Sequence, residues 1–293
     1  MTETKVLSGK EVASAVYNEL TSRIEKLSDK KITPGLAAVL VGDDPASQVY
    51  VRNKTHRFEK MGLFSETFSM GKESLQSDIM ALINELNSDD RLHGILVQLP
   101  LPKEIDSDSV LRYVRPEKDV DGFHPENMGL LALGKPRFIS CTPKGILRIL
   151  QFYDIETNGK HTVIVGRSNI VGRPMALMLS AKNDTGNSTV TVCHSRTPDI
   201  IFHTRQADMV IAAAGMPNLI NGDMISDGAV VIDVGINRVE DDSEKGYRLV
   251  GDVDAESVRE KASALTPVPG GVGPMTIAML VENTVEAAER SIS

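Results

Sequence analysis

The chain has 293 residues, 41% hydrophobic and 25% charged, the balance of a globular protein long enough for two ordinary domains. Its formal net charge of −8 argues against a nucleic-acid backbone as partner, which normally calls for a basic face. The opening MTETKVLSGKEV lacks the apolar core of a signal peptide, no run approaches the length of a membrane span, and Cys141 and Cys193 show neither metal spacing nor a disulfide framework, so a cytoplasmic, metal-free protein is expected.

Val12, Val16, Leu20, Ile24 and Leu27 recur at helical spacing and predict an amphipathic helix over 9–28. The apolar run 36–41 (LAAVLV) reads as a buried strand closed by the turn Gly42-Asp43-Asp44-Pro45. Residues 46–61 read as a helix on which Tyr50 and Lys54, four apart, share a face. Taken alone, the pair reads first as an anchoring Tyr beside a solvated Lys. The functional alternative is an aromatic that stacks on a planar substrate with an amine beside it for proton transfer. Strands over 64–70 and 94–97 flank a helix over 74–87, and the second strand ends in Gln98-Leu99-Pro100-Leu101-Pro102. Parallel α/β sheets place their sites at the carboxyl ends of strands, so Gln98 sits where a ligand contact is expected, on a rim stiffened by two prolines. Residues 105–114 read as helical. In Asp119-Val120-Asp121-Gly122-Phe123-His124-Pro125, the two carboxylates suit either an Asx turn or the presentation of one carboxylate to a hydrogen-bond donor such as an aminopyrimidine ring.

A shift in composition at Leu133-Gly134-Lys135-Pro136 marks a domain boundary, and Thr142-Pro143 has the form of an N-cap and first residue for a helix over 145–152. The stretch 162–176, TVIVGRSNIVGRPMA, is a strand stopping at Gly166, a polar turn, and a helix beginning near Gly172 with Pro174 in its first turn. That order lets backbone N–H groups and a helix N-terminus face a diphosphate. Only two glycines stand where G-x-G-x-x-G has three, so by itself the stretch suits an ordinary βα turn as well. After a polar insertion at 182–188, the strand 189–193 ends in His194-Ser195-Arg196-Thr197. An acid there would suit a free ribose 2′-hydroxyl, whereas Ser plus Arg suits a 2′-phosphate, which favours NADP over NAD. Buried strands at 208–213 and 229–234 run into Gly215 and Gly235, whose turns lie where a nicotinamide half would rest. Pro269-Gly270-Gly271-Val272-Gly273-Pro274, with three glycines between two prolines, is expected as a loop, followed by a last helix over 275–292. The alternation of strand and helix implies α/β layers with mainly parallel sheets.

Five blocks carry a resemblance over essentially the whole length: Tyr50-Val51-Arg52-Asn53-Lys54, Gly94-Ile95-Leu96-Val97-Gln98-Leu99-Pro100-Leu101, Lys118-Asp119-Val120-Asp121-Gly122-Phe123, VGRSNIVGRP at 165–174 and PGGVGPMT at 269–276. In this order and at these separations they resemble the bifunctional methylenetetrahydrofolate dehydrogenase/methenyltetrahydrofolate cyclohydrolase family. The resemblance implies two α/β domains around a cleft: a folate-binding catalytic domain of residues 1–139 plus 275–293, and a Rossmann-type NADP-binding domain of residues 140–274. It implies NADP-dependent oxidation of 5,10-methylenetetrahydrofolate to 5,10-methenyltetrahydrofolate, then hydrolysis to 10-formyltetrahydrofolate, by a homodimer contacting through the nucleotide domain. By the same resemblance, Lys54 is the catalytic lysine, Tyr50 stacks on the folate, Gln98 holds and tunes Lys54, and Asp121 binds the pterin ring, with Leu99 and Pro100 beside the substrate. Gly166, Arg167 and Ser168 would meet the cofactor, Ser195 its 2′-phosphate, and Ile236, a looser match, its other half. Gly271 and Gly273 would line the cleft floor against the folate. Another Rossmann dehydrogenase, of the shikimate or amino-acid type, would account for 140–273 but not for Tyr50, Lys54 and Gln98 together. A non-catalytic nucleotide-binding module needs no such amine.

Overall fold

The computed structural model describes residues 3–242 and 246–292. In chain order the elements are β1 (Lys5–Val6), α1 (Gly9–Asp29), β2 (Gly35–Val41), α2 (Pro45–Lys60), β3 (Phe64–Met70), α3 (Gln76–Asn87), β4 (Gly94–Val97), α4 (Ser107–Leu111), α5 (Pro125–Ala132) and α6 (Cys141–Phe152). There follow β5 (His161–Val165), α7 (Gly172–Ser180), β6 (Thr189–Cys193), α8 (Ile200–Thr204), β7 (Met209–Ala212), β8 (Val230–Asp233), β9 (Asn237–Glu240), β10 (Tyr247–Val250), α9 (Ala255–Arg259), β11 (Ala264–Leu265) and α10 (Val272–Arg290). They form two compact units, Ala15–Cys141 with Ile277–Ser293, and Met1–Ser14 with Thr142–Thr276.

The first unit is built on a parallel sheet of order β3-β2-β4. All seven residues of β2 are buried, which is why it reads as an unbroken apolar run. Ile79, Ile83 and Leu86 of α3 pack on Ala37, Val39, Ile95 and Val97. Helix α2 starts at Pro45, with the Asp44 carboxylate accepting from Ser47 N at 2.7 Å. The part of α10 in this unit is tied down twice. Arg23 donates to both carboxylate oxygens of Glu289, at 2.9 and 2.6 Å, and Asn283 Nδ2 donates to the carbonyls of Val120 and Ile139, at 2.7 and 3.0 Å.

The second unit holds a six-stranded, wholly parallel sheet of order β1-β11-β8-β7-β5-β6. The chain runs from β5 to β6 on one side and then returns to place β7 on the other side of β5. That reversal is the switch point at which open α/β sheets take their ligands. An antiparallel hairpin, β9 with β10, stands outside this sheet.

The expected strands at 64–70, 94–97 and 189–193 are found with those bounds, and the architecture is the expected mainly parallel α/β one. Four local expectations are corrected. The glycine-proline loop at 269–276 gives way to helix from Val272, because proline in a first helical turn lacks only an N–H that has no partner there. The helix expected over 105–114 is confined to α4, which starts late because Asp106 caps it, its carboxylate accepting from Asp108 N at 3.1 Å. Thr142 lies inside α6 rather than capping it, and its hydroxyl hydrogen-bonds that of Thr276 at 2.9 Å. The residues up to Ser14, expected with the folate domain, group with the six-stranded unit because β1 pairs with β11 at its edge. Among the described residues no helix is long and apolar enough to cross a membrane.

The start of α7 depends on close backbone approach. A β-carbon on Gly172 would stand 2.2 Å from Gly166 O and 2.9 Å from Arg167 Cα. Gly172→Ala should therefore cost about 1–3 kcal/mol of stability through overpacking, read as a lowered denaturant midpoint. An unchanged midpoint would contradict this account of the turn.

Candidate functional site

In the three-stranded unit, α2 carries Tyr50 and, one turn later, Lys54. Tyr50 is 38% exposed, and burial pushes its phenol up from the ordinary value. Lys54 is only 7% exposed and donates from Nζ to Gln98 Oε1 at 3.1 Å. The solvated-lysine reading is thereby excluded. Gln98, the first residue past β4, donates from Nε2 to Leu99 O at 2.6 Å, which turns the oxygen end of its amide toward Lys54. Its backbone N–H continues the ladder to Val39 O at 2.9 Å. Among the described residues no carboxylate lies within ion-pair reach of Lys54. The amine is held by one neutral acceptor and keeps donor positions for a ligand.

The Asp119–Pro125 loop divides its two carboxylates between two tasks. Asp119 is buried and accepts from Phe123 N (3.1 Å), His124 N (2.8 Å) and Asn127 Nδ2 (2.8 Å), so it makes the turn. Asp121 is also buried, yet its carboxylate accepts no hydrogen bond and forms no ion pair among the described residues. Gly122, at φ +72°, lets the loop pass close to the chain at 139–140, where a β-carbon would stand 2.8 Å from Ser140 N. Leu99 and Pro100, joined by a cis peptide, follow Gln98 at the end of β4 in the same unit.

In the six-stranded unit the carboxyl ends of β5 and β6 are level, with Val165 opposite Cys193 and Gly166 N donating to Cys193 O at 2.8 Å. Gly166 has φ +131°, and a β-carbon there would lie 2.0 Å from Ala213 O. Only glycine fits between the ends of β5 and β7. Ser168 Oγ accepts from Val171 N at 3.2 Å and Gly172 N at 3.5 Å, fastening the turn to α7. Arg167, Ser195 and Arg196 are exposed, and neither arginine has an acidic partner among the described residues. The loop after β6 is closed by His194 N to Thr197 Oγ1 and Thr197 N to His194 O, at 2.9 and 2.8 Å. Ser195 and Arg167 thus leave neighbouring strand ends at the switch point, one strand apart. Such a set of backbone donors, a hydroxyl and unpaired guanidinium groups suits a phosphorylated dinucleotide.

Residues 7–121 match the family model of the tetrahydrofolate dehydrogenase/cyclohydrolase catalytic domain, and residues 140–292 match that of its NAD(P)-binding domain. The chain belongs to the tetrahydrofolate dehydrogenase/cyclohydrolase family. A bifunctional protein FolD of Chlorobium chlorochromatii (strain CaD3) is 55% identical over 290 residues, spanning 97% of this chain and 98% of the relative. Among solved structures, the bifunctional FolD methylenetetrahydrofolate dehydrogenase/cyclohydrolase of Campylobacter jejuni is similar with a TM-score of 0.93 at 49% identity, over 98% of this chain and 99% of that one. The FolD enzyme of Trypanosoma brucei, complexed with NADP cofactor and inhibitor, is similar with a TM-score of 0.94 at 39% identity, over 100% and 99%.

Within this family member, one of the two expected glycines sits in a packed position. Gly271 N donates to Pro267 O at 2.7 Å, and a β-carbon on Gly9 would stand 1.8 Å from Gly271 O. Gly273 is open by comparison. A β-carbon there would meet only Ile236 Cδ1, at 3.3 Å. The sequence reading missed two buried carboxylates, Asp233 and Asp252, that organise the loops after β7 and β8. Their one visible signal is an Asp closing the otherwise apolar strand β8.

Burial dominates the titration of Asp119 and pushes its carboxyl from 3.8 up to about 6, against the three hydrogen bonds and with added repulsion from Asp121. The folded state therefore holds this proton more tightly than the unfolded one, and the group's contribution to stability falls as pH rises from about 4 to about 6. The stability of the unaltered chain minus that of Asp119→Asn should decline across that window and be level above it. Denaturant unfolding at pH 4, 5, 6 and 7 checks this, and a difference that climbs with pH would refute it.

Proposed function

We propose that this chain carries out both reactions of its family: NADP-dependent oxidation of 5,10-methylenetetrahydrofolate to 5,10-methenyltetrahydrofolate, and hydrolysis of that product to 10-formyltetrahydrofolate. The observation that carries the reading is the buried Lys54, held by Gln98, in the same unit as a buried, unengaged Asp121. A nucleotide-binding module without chemistry has no use for an amine so placed.

The residues at the switch point fit NADP. Gly166 lets the ends of β5 and β7 close up beside the turn, Ser168 shapes that turn, and Arg167 with Ser195 and Arg196 meets phosphate charge. When bound, NADP would supply the acceptor for the hydride that leaves the one-carbon bridge. A folate nitrogen lone pair expels that hydride, so no side chain has to remove a proton, and the chain's task is orientation. Tyr50 stacks on the folate ring, Asp121 accepts hydrogen bonds from its aminopyrimidine edge, and Leu99 and Pro100 border it. Ile236 borders the cofactor.

The hydrolytic step does move protons. Water adds to the methenyl carbon, a carbon–nitrogen bond opens, and the departing ring nitrogen takes up a proton. Lys54 Nζ, aimed by Gln98, receives a proton from the attacking water and returns one to that nitrogen. The same reading makes the chain a cytoplasmic homodimer that contacts through the nucleotide-binding unit. Support for the dimer comes from β6, an edge strand whose Val192 is exposed.

Two variants test the reading. Arg167→Ala should raise the Michaelis constant for NADP far more than for NAD, because a charge-assisted contact to phosphate is worth about 1.5–3 kcal/mol. Equal loss with both cofactors would remove that role. Lys54→Gln should largely abolish the cyclohydrolase, by about 10²- to 10⁴-fold, while leaving measurable dehydrogenase, so methenyltetrahydrofolate accumulates. If both rates collapse equally with the fold intact by circular dichroism, Lys54 positions the folate instead. If neither moves, it has no part in the chemistry.

A further inference from the structure

Two buried carboxylates have no part in the mechanism above. Asp233 closes β8 and Asp252 follows β10, and they are 3% and 0% exposed. Asp252 Oδ2 accepts from the backbone N–H groups of Ala214 (2.6 Å) and Gly215 (2.8 Å), just past β7, while Oδ1 accepts from Asn237 Nδ2 at 2.8 Å. Asp233 Oδ1 accepts from Gly235 N (3.0 Å) and Asp252 N (2.9 Å), and Oδ2 from Val253 N (3.1 Å). Both flanking glycines make room for these groups. A β-carbon on Gly235 would stand 2.3 Å from Asp252 Oδ1, and one on Gly251 would stand 1.7 Å from Asp233 Oδ2.

This arrangement is costly for packing alone. Two acids are buried side by side with no ion pair to a lysine or arginine among the described residues, and burial pushes the Asp233 carboxyl up to about 6, with Asp252 adding repulsion. What the pair achieves is geometric. It fixes the loops 214–215 and 235–237, which leave the two strand ends on the opposite side of β5 from Ser195. A dinucleotide with its diphosphate at Gly166 and its phosphorylated ribose at Ser195 has its other nucleoside over these two loops.

We propose that Asp252 and Asp233 are positioning residues for hydride transfer, locking the loops after β7 and β8 into the arrangement that seats the nicotinamide half of the cofactor. The inference rests on the proposed function and deepens it. The carboxylate form of Asp252 matters because all three groups facing it are donors. A carboxylate at 237 would face that of Asp252 with no donor between them and lose the third bond, whereas an amide at 252 alone is still met by the Asn237 amide turned over.

The donor and acceptor roles can be exchanged. In the double variant Asp252→Asn with Asn237→Asp, the new amide oxygen accepts from Ala214 and Gly215, and its nitrogen donates to the new carboxylate at 237. The experiment measures dehydrogenase kcat/KM for NADP, the cyclohydrolase rate on methenyltetrahydrofolate without cofactor, and the melting temperature, for the unaltered chain, Asn237→Asp and the double variant. Asn237→Asp should lower dehydrogenase kcat/KM by about tenfold or more beyond any fall in cyclohydrolase, and the double variant should recover most of that ratio. Parallel loss of both activities, an unchanged ratio, or a double variant that regains melting temperature but not the ratio would each overturn the proposal. If Asn237→Asp does not fold, Asn237→Ala removes only the 2.8 Å bond between Asn237 and Asp252 and carries the same comparison. An unaltered chain that forms no NADPH from methylenetetrahydrofolate fails the proposed function itself, and that measurement is read first.

Discussion

Parallel strands buried on both faces constrain where this chain can place chemistry. Inside β2, β5, β7 or β8 a side chain can only pack, so groups that must meet a ligand are confined to the first residues beyond the carboxyl ends. Gln98 follows β4, Gly166 follows β5, Ser195 comes just after β6, and Gly215 and Gly235 come just after β7 and β8. Register then decides whether those ends are level. Val39 stands opposite Val97, Val165 opposite Cys193, and Ala212 opposite Asp233. A slip of one residue in any pair would reverse every side chain of that strand and remove its end from the row.

At these ends the polar groups divide by what they are bonded to. Asp119, Asp233 and Asp252 are saturated by donors, most of them backbone N–H groups, and Ser168 fastens a turn in the same way. They belong to the scaffold although their chemistry would allow more. Asp121, Arg167, Ser195 and Arg196 are left without such partners among the described residues. For Asp121 the difference is one of availability: no donor of the described chain occupies its carboxylate, so a ligand that supplies one displaces no internal hydrogen bond.

Much of this was legible from the chain alone, for reasons that can be named. Strands at 64–70, 94–97 and 189–193 are bounded by glycine, proline or charge, and their ends needed no tertiary information. Helix α5 was missed because it is short and begins at His124, an uncommon cap whose Nδ1 accepts from Glu126 N. The hairpin of β9 and β10 was missed because its strands, NRVE and YRLV, are half exposed and carry little periodic signal. The allegiance of β1 is set by β11, more than 250 residues away. At the site, the spacing of Tyr50 and Lys54 was visible, but the burial of Lys54 depends on Gln98, 44 residues on. Which of Asp119 and Asp121 makes the turn depends on where Asn127 and two backbone amides point. Asp252 leaves no local pattern, since the partners of its carboxylate come from the loop after β7 and from the first residue of β9.

The partner of Lys54 is an amide and not an acid, and the two chemistries together account for that. A carboxylate at position 98 would pair with the ammonium, hold its charge in place and compete with the substrate for it. The amide of Gln98 directs Nζ with a single hydrogen bond and no charge, and its own direction is settled by Leu99 O. An amine aimed in this way can exchange a proton with a water or a ring nitrogen during hydration. During hydride departure, which needs no proton transfer, the same amine has only to stay out of the reaction. In the proposed function, one amine aimed by a neutral amide would serve the step that needs it without obstructing the one that does not.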